Sequence, residues 1–301
     1  MIVSASFRTD IPAYYGRWFM ARLDAGFVRV ANPYGGRHYN VSLAPEDVGG
    51  FVFWTRNAAP FADALAEIRR QGFAFVVQHT VTGYPRPIEP AAPDSSRAAE
   101  RIRELAATYG PRAVVWRYDP ILDSTLTPPD WHVTNFARLA ASLSGAVDEV
   151  VVSFAQPYRK TARNLDAAAR RDGFAWRDPP ADETRALLAH LAGIAHSYAM
   201  RLTICTQPEL VVPGTQGAAC VDAARLSDVA GRAIIAKRKG NRPGCLCHES
   251  RDIGAYDTCP MACAYCYAVS SPEAAQRRLA AHDPDAESLS PLRRRAPAAA
   301  R

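Results

Sequence analysis

Phe51-Val-Phe-Trp-Thr55, then the amphipathic Phe61-Ala-Asp-Ala-Leu-Ala-Glu-Ile-Arg-Arg-Gln71, then Phe73-Ala-Phe-Val-Val-Gln-His79 decide the fold. The two outer segments are short and rich in Val and Phe, and they are apolar on both faces. That composition suits parallel strands covered on both sides, whereas a half-solvated strand would alternate. The segment between them has a helical pattern, so the stretch predicts one strand–helix–strand unit with a right-handed crossover.

The same alternation extends outward in both directions. Further strands are predicted at Ile2–Phe7, Ala113–Tyr118, Glu149–Phe154 and Arg201–Thr206, and further helices at Tyr14–Ala25, Ser96–Tyr109, Trp131–Leu143 and Asp182–Met200. The expected fold class is therefore α/β: a partial or closed parallel (βα)-type barrel of about six strands. A doubly wound open sheet is the alternative. Residues 1–207 form the barrel-like core in this reading. Residues 208–270 form a cysteine-rich segment packed on the barrel mouth, and residues 271–301 a flexible basic tail, disordered over Leu289–Arg301. Pro85–Pro93 reads as an exposed loop, Pro128-Pro129 as the lead into a helix, and Arg159–Pro180 as a polar excursion on the rim.

Composition narrows the function classes. With 301 residues, 48% hydrophobic and 22% charged, the chain matches an ordinary globular protein. No apolar run approaches the roughly 20 residues a membrane-spanning helix needs, and the N-terminus lacks the pattern of a signal peptide. A cytoplasmic location is expected, so the seven cysteines are read as reduced thiols for metal or catalysis and not as disulfide staples. The formal charge is +6, carried by arginine, with lysine only at Lys160, Lys237 and Lys239. Six arginines against four acids give the last 31 residues a net +2. Such a balance is compatible with a nucleic-acid partner, but an arginine-rich composition alone also produces it.

Every predicted strand ends in polar residues. Arg8 and Asp10 follow the first, Arg56 and Asn57 the second, Gln78 and His79 close the third, Arg117 and Asp119 the fourth, and Ser153 and Cys205 the fifth and sixth. Chemistry in parallel α/β barrels collects at these ends. Guanidinium groups suit carboxylate or phosphate recognition. Arg8, Asp10, Arg56, Asn57, Arg117 and Asp119 are the expected lining of a cavity, although Arg8 with Asp10, or Arg117 with Asp119, also reads as a salt bridge that simply holds a loop.

Three cysteines stand in Cys259-Pro-Met-Ala-Cys263-Ala-Tyr-Cys266. Three thiolates in eight residues can hold three corners of a four-iron cluster and leave one iron open to a small molecule. Cys205, Cys220, Cys245 and Cys247 remain, the right number for a second iron–sulfur cluster or a zinc ion. A different pairing, Cys245-x-Cys247 with Cys263-x-x-Cys266, approximates a zinc ribbon but leaves Cys259 unused.

The spacing Cys259-x-x-x-Cys263-x-Tyr265-Cys266 resembles the signature of the radical S-adenosylmethionine superfamily. Ser4-Ala-Ser-Phe-Arg-Thr-Asp-Ile-Pro12, Phe53-Trp-Thr-Arg-Asn57, Thr82-Gly-Tyr-Pro85, Trp116-Arg-Tyr-Asp-Pro120, Asp252-Ile-Gly-Ala-Tyr-Asp-Thr-Cys-Pro260 and Cys263-Ala-Tyr-Cys-Tyr-Ala268 stand along the chain. Through these stretches the chain, over roughly residues 1 to 270, resembles the bacterial family called domain of unknown function 1848. Two departures from the superfamily pattern stand out. The triplet follows the last strand instead of the first, and the usual His-Gly before the second cysteine is Met261-Ala262.

The resemblance implies a [4Fe-4S] cluster on Cys259, Cys263 and Cys266, S-adenosyl-L-methionine as cofactor, and a reductant such as flavodoxin or ferredoxin. The reaction implied is cleavage of S-adenosylmethionine to a 5′-deoxyadenosyl radical acting on an unknown substrate. Two alternatives stand beside it. One is a non-enzymatic iron–sulfur or zinc-binding protein. The other is a nucleic-acid modification or repair enzyme of the same chemistry, with Trp54, Trp116, Tyr84 and Tyr118 stacking on bases.

Overall fold

Eight strands lie side by side in one sheet, every pair parallel, in a computed structural model that describes residues 1–32 and 38–289. In chain order they are β1 (Ile2–Ala5), β2 (Gly50–Thr55), β3 (Phe75–Thr80), β4 (Val114–Ile121), β5 (Glu149–Phe154), β6 (Arg201–Ile204), β7 (Thr215–Gly217) and β8 (Ser250–Asp252). Their spatial order is β7-β6-β5-β4-β3-β2-β1-β8. Each strand therefore follows its neighbour around the sheet until the last returns to the far side of β1. Ile2 is paired with Gly50 on one side and with Ser250 on the other.

This winding explains the two cores. Successive right-handed crossovers in one direction put their helices on the same face. On that face α2 (Gly16–Asp24), α3 (Ala62–Arg70), α4 (Ser95–Tyr109), α5 (Pro129–Leu143) and α7 (Ala181–Ser197) cover the residues that point outward. Phe51, Phe53, Phe75, Trp116 and Phe136 are buried there, and Trp116 stacks on Phe136 at 4.8 Å. The next residues along each strand point the other way, because side chains alternate across a strand. Ile2, Val52, Val76, Val115 and Val151 form a second core on that inner face with Leu226 of α8 (Ala223–Ala230), Cys220 and Cys247.

The α/β class and the six predicted strands are present, but the sheet has eight strands. The two additional ones, β7 and β8, come from the segment whose pattern is irregular, and each is only three residues long. No ladder joins β7 to β8 among the described residues, so the sheet is open and a closed barrel is not formed.

Three further expectations are corrected. Arg159–Asp172 is a helix, α6, whose apolar Leu165 and Ala168 are buried against the loops, so the polar stretch 159–180 carries regular structure. The loop at Pro85–Pro93 turns inward at its centre, where Ile88 and Glu89 are buried. The tail begins with an ordered helix, α9 (Pro272–Ala280), capped by the Ser271 hydroxyl. Beyond it Trp18 Nε1 donates to the Ala286 carbonyl and Arg22 to the Asp285 carbonyl, so residues to Leu289 are docked. The rest of the expected disordered tail, 290–301, lies outside the described residues.

Candidate functional site

The triplet leaves β8 at its C-terminal end, and β8 lies beside β1. The cysteine loop therefore emerges at the same edge as the loop after β1, although hundreds of residues separate them in sequence. Asp252, the last residue of β8, ties the two together. Its carboxylate accepts from Ser4 Oγ (2.8 Å), Ser6 Oγ (2.8 Å), the Phe7 N–H (3.1 Å) and Arg8 Nε (2.9 Å). Arg8 is spent on this contact. Its predicted role at a cavity becomes a role in clamping β8 to β1.

The loop itself is held from three sides. Tyr15 Oη donates to the Thr258 carbonyl at 2.7 Å, and the Thr9 and Thr258 hydroxyls meet at 2.7 Å. The Ala264 N–H donates to the Ile88 carbonyl at 2.9 Å. Asn164 of α6 donates to the carbonyls of Cys266 (3.2 Å) and Val269 (3.0 Å). Helix α6 thus serves as the outer wall of the loop. Ala262, immediately before the second cysteine, has φ +61°. Glycine adopts that left-handed conformation at little cost, and glycine is what the superfamily pattern carries there.

Asp10 and Arg56 sit under the triplet. Asp10 caps α1 (Ile11–Tyr14) by accepting from the Ala13 N–H at 3.0 Å, and it also accepts from the Arg56 N–H at 2.8 Å. Burial pushes its carboxyl up to about 6 against the pull of those bonds. The Arg56 guanidinium pairs with Glu89 at 2.8 Å and contacts the hydroxyl of Tyr265, the aromatic residue preceding the third cysteine. Tyr265 in turn donates to Glu89. Burial works against the charge on Arg56, but Glu89, together with Tyr265, Cys263 and Asp10, outweighs it and holds the guanidinium protonated. Asn57 lines a cavity with Arg56, His79 and Arg97 past the end of β2, and its side chain accepts from the Ala59 N–H at 3.1 Å.

The triplet thiols are all raised, each mainly by burial, Cys263 to about 12. Cys266 is within electrostatic reach of both Cys259 and Cys263. Among the described residues no group of three or more His, Cys, Asp or Glu side chains is arranged around a metal-ion centre. In number and kind the donors nonetheless fit an iron–sulfur cluster: three soft thiols on one loop, walled by protein on three sides.

Arg117 and Asp119 belong to a second place, on the inner face of the sheet. They pair with each other, and Asp119 also accepts from Ser153. Arg117 lies 4.9 Å over the Trp54 ring, donates to Gln78 Oε1 at 3.2 Å, and reaches Cys220 Sγ at 3.1 Å. Cys220 is 3.6 Å from Cys205 Sγ. The six residues expected to line one cavity are therefore divided. Asp10 and Arg56 attend the triplet, Arg117 and Asp119 attend the other cysteines, and Arg8 and Asn57 hold backbone in place.

The aromatic residues expected to stack on bases are mostly interior. Trp116, Tyr118 and Tyr84 are buried, and their polar atoms are occupied: Trp116 Nε1 by the Val81 carbonyl, Tyr118 Oη by His132 Nδ1, Tyr84 Oη by the Pro120 carbonyl. Trp54 is half-buried under Arg117. Sequence reasoning missed Glu89, Tyr265 and Asn164 as partners of the cysteine loop. The Tyr265 position was visible in the motif, but Glu89 and Asn164 have no local signal.

Fold and loop together define a class: an open, singly wound parallel α/β sheet with a three-cysteine loop at its C-terminal edge. The chain belongs to the family described as domain of unknown function 1848, which matches residues 2–268. No curated protein and no solved structure matches it.

Proposed function

We propose that this chain is an iron–sulfur enzyme of the radical S-adenosylmethionine type, acting on a substrate not yet identified. One observation carries the reading. The Cys259–Cys266 loop leaves a strand paired directly with β1 and docks over Asp10 and Arg56, at the sheet edge where parallel α/β enzymes gather their chemistry. The late position of the motif in sequence is thereby reconciled with the edge position that the superfamily's triplet occupies after its first strand.

Cys259, Cys263 and Cys266 would hold the cluster. The group supplies, when bound, one-electron reductive cleavage of S-adenosylmethionine to methionine and a 5′-deoxyadenosyl radical. The chain's own residues bind, orient and exclude water. Arg56 and Glu89 fix the Tyr265 hydroxyl, and through it the backbone between the second and third cysteines. Asn164 holds the Cys266 carbonyl, and Tyr15 and Thr9 anchor the start of the loop. Tyr84, Ile88, Leu122 and Leu165 form an apolar floor with Tyr265 and so keep one side of the loop dry.

Anaerobic reconstitution with iron and sulfide, followed by reduction in the presence of S-adenosylmethionine, tests the reading. Release of 5′-deoxyadenosine is expected. A fully loaded preparation that releases none overturns it.

A further inference from the structure

Four cysteines outside the triplet are brought together by the fold, on the inner face of the sheet. Cys205 follows β6, Cys220 follows β7, and Cys245 and Cys247 lie on a hairpin that runs back under the sheet. The hairpin is closed by two backbone bonds, the Lys239 N–H to the Cys247 carbonyl and the Glu249 N–H to the Lys237 carbonyl, and the His248 N–H ties it to the Val221 carbonyl after β7. Two of the sulfurs touch, Cys205 Sγ lying 3.6 Å from Cys220 Sγ, and Cys247 is within electrostatic reach of both Cys220 and Cys245. Cys245 is also within electrostatic reach of Cys205.

These sulfurs sit in the apolar inner core, and the polar groups that reach them are mostly arginines and N–H donors. The Val221 N–H donates to Cys247 Sγ at 3.3 Å, and the backbone N–H groups of Asn241 and Cys247 face Cys245. Arg117 reaches Cys220 at 3.1 Å, and Arg242 is within electrostatic reach of Cys205. Two arginines and three amides directed at four sulfurs suit thiolates better than thiols, because a neutral thiol is a weak acceptor. The backbone is also shaped to bring Cys245 in. A side chain at Gly240 would place its first carbon 2.3 Å from the Cys245 carbonyl oxygen and 2.6 Å from its Cβ, so only glycine permits the approach.

We infer that Cys205, Cys220, Cys245 and Cys247 form a second metal site, separate from the triplet, that takes a single thiophilic divalent ion of the zinc type. The four sulfurs lie on one face of the sheet without yet surrounding a common centre, and the ion would draw them into a tetrahedron. The 3.6 Å contact favours one ion over a cluster. Thiolates sharing one zinc at about 2.3 Å are roughly 3.8 Å apart along a tetrahedral edge. Thiolates of a four-iron cluster sit on different irons, with the cluster core holding them farther apart. The ion would pin the hairpin and β7 to β6, and so stabilise the open end of the sheet. This inference does not depend on the chemistry of the triplet.

The test is metal and sulfide analysis of the full chain carrying Cys259→Ala, Cys263→Ala and Cys266→Ala, purified without oxygen. About one zinc per chain and no acid-labile sulfide are expected. Cobalt exchanged into the same protein should give the absorption of a tetrahedral tetrathiolate. Adding Cys220→Ser and Cys247→Ser should reduce zinc at least tenfold. Should that variant fail to fold, titrating the triplet variant with an organomercurial should release the zinc in step with loss of four thiols. Iron with sulfide in the triplet variant, four freely titrating thiols without metal, or a mass lowered by a Cys205–Cys220 disulfide would each overturn the inference.

Discussion

The two groups of cysteines are built in opposite ways. The triplet is local: eight consecutive residues carry all three thiols, and the fold only presents them at the edge of β1 and β8. The other four thiols are spread from residue 205 to 247 and meet only when β6, β7 and the hairpin are in place. Each group has its own buried arginine, Arg56 for the triplet and Arg117 for the scattered set, and each arginine is neutralised by a carboxylate, Glu89 or Asp119. The difference teaches where ligand binding and folding are coupled. A local motif can lose its ligands without unfolding the chain, whereas a motif assembled by the fold is itself a tertiary contact.

The sharpest way to break that comparison is Cys263→Ala. It should abolish 5′-deoxyadenosine release, while chemical unfolding shifts by no more than about 1–2 kcal/mol, the ordinary cost of a small buried truncation. A cooperative loss of fold would show that the triplet is structural.

Next in size is the ion pair beneath it. Arg56→Met leaves Glu89, itself 2% exposed at its side chain, without its cation. Unfolding in urea should show a loss of about 3–5 kcal/mol, the cost of stranding a buried charge. Adding Glu89→Gln should recover part of that loss, and strict additivity of the two changes would refute the pairing. Arg117→Met should be milder, about 2–3 kcal/mol, because its partner Asp119 is more exposed, with 18% of its side chain open.

Acid sensitivity should come from neither cysteine group but from the helix-side core. His132 is buried, its Nε2 faces the Leu122 carbonyl at 3.0 Å, and its Nδ1 faces the Tyr118 hydroxyl at 2.9 Å. A carbonyl only accepts, so Nε2 carries the proton and Nδ1 accepts from Tyr118. Burial lowers its pKa to about 4 from 6.5. The unfolded chain therefore binds the proton first as pH falls. The stability His132 contributes is complete above about pH 6.5 and is lost progressively toward pH 4. His132→Gln should reduce the slope of the unfolding free energy between pH 6.5 and 4.5 to that left by the buried His79, whose pKa burial lowers to about 3, and an unchanged slope would contradict the assignment.

The smallest effect is expected at Ala262. Replacing it with glycine should stabilise the empty protein by up to about 1 kcal/mol, because φ +61° no longer opposes a side chain. A melting temperature that falls would mean the loop needs the methyl group.

Much of the fold was legible because periodicity reports burial. The six strands rich in Val and Phe and the five amphipathic helices are where their patterns put them, within a few residues. The short strands were not legible. Thr215–Gly217 and Ser250–Asp252 span three residues each and are strands only because an existing edge offers them partners. Helix α6 was missed because its buried stripe is just Thr161, Leu165 and Ala168 in an arginine-rich surface. At the site, the triplet and the arginines at strand ends could be read directly. Their division into two places could not, because it depends on which way each residue faces. Arg117 alternates with the outward-facing Trp116 and Tyr118 and so points to the inner face, while Asn57 lies past the end of β2, where its side chain is bonded to the Ala59 N–H.

The central claim is that the triplet holds a cluster with one open iron at the β1 edge. Electron paramagnetic resonance of the reduced, iron-loaded protein tests it most directly, with and without S-adenosylmethionine. A cluster signal that changes on adding the cofactor, and that is absent from the Cys259→Ala, Cys263→Ala, Cys266→Ala protein, is predicted. A signal indifferent to the cofactor, or one that survives loss of all three cysteines, would contradict the account.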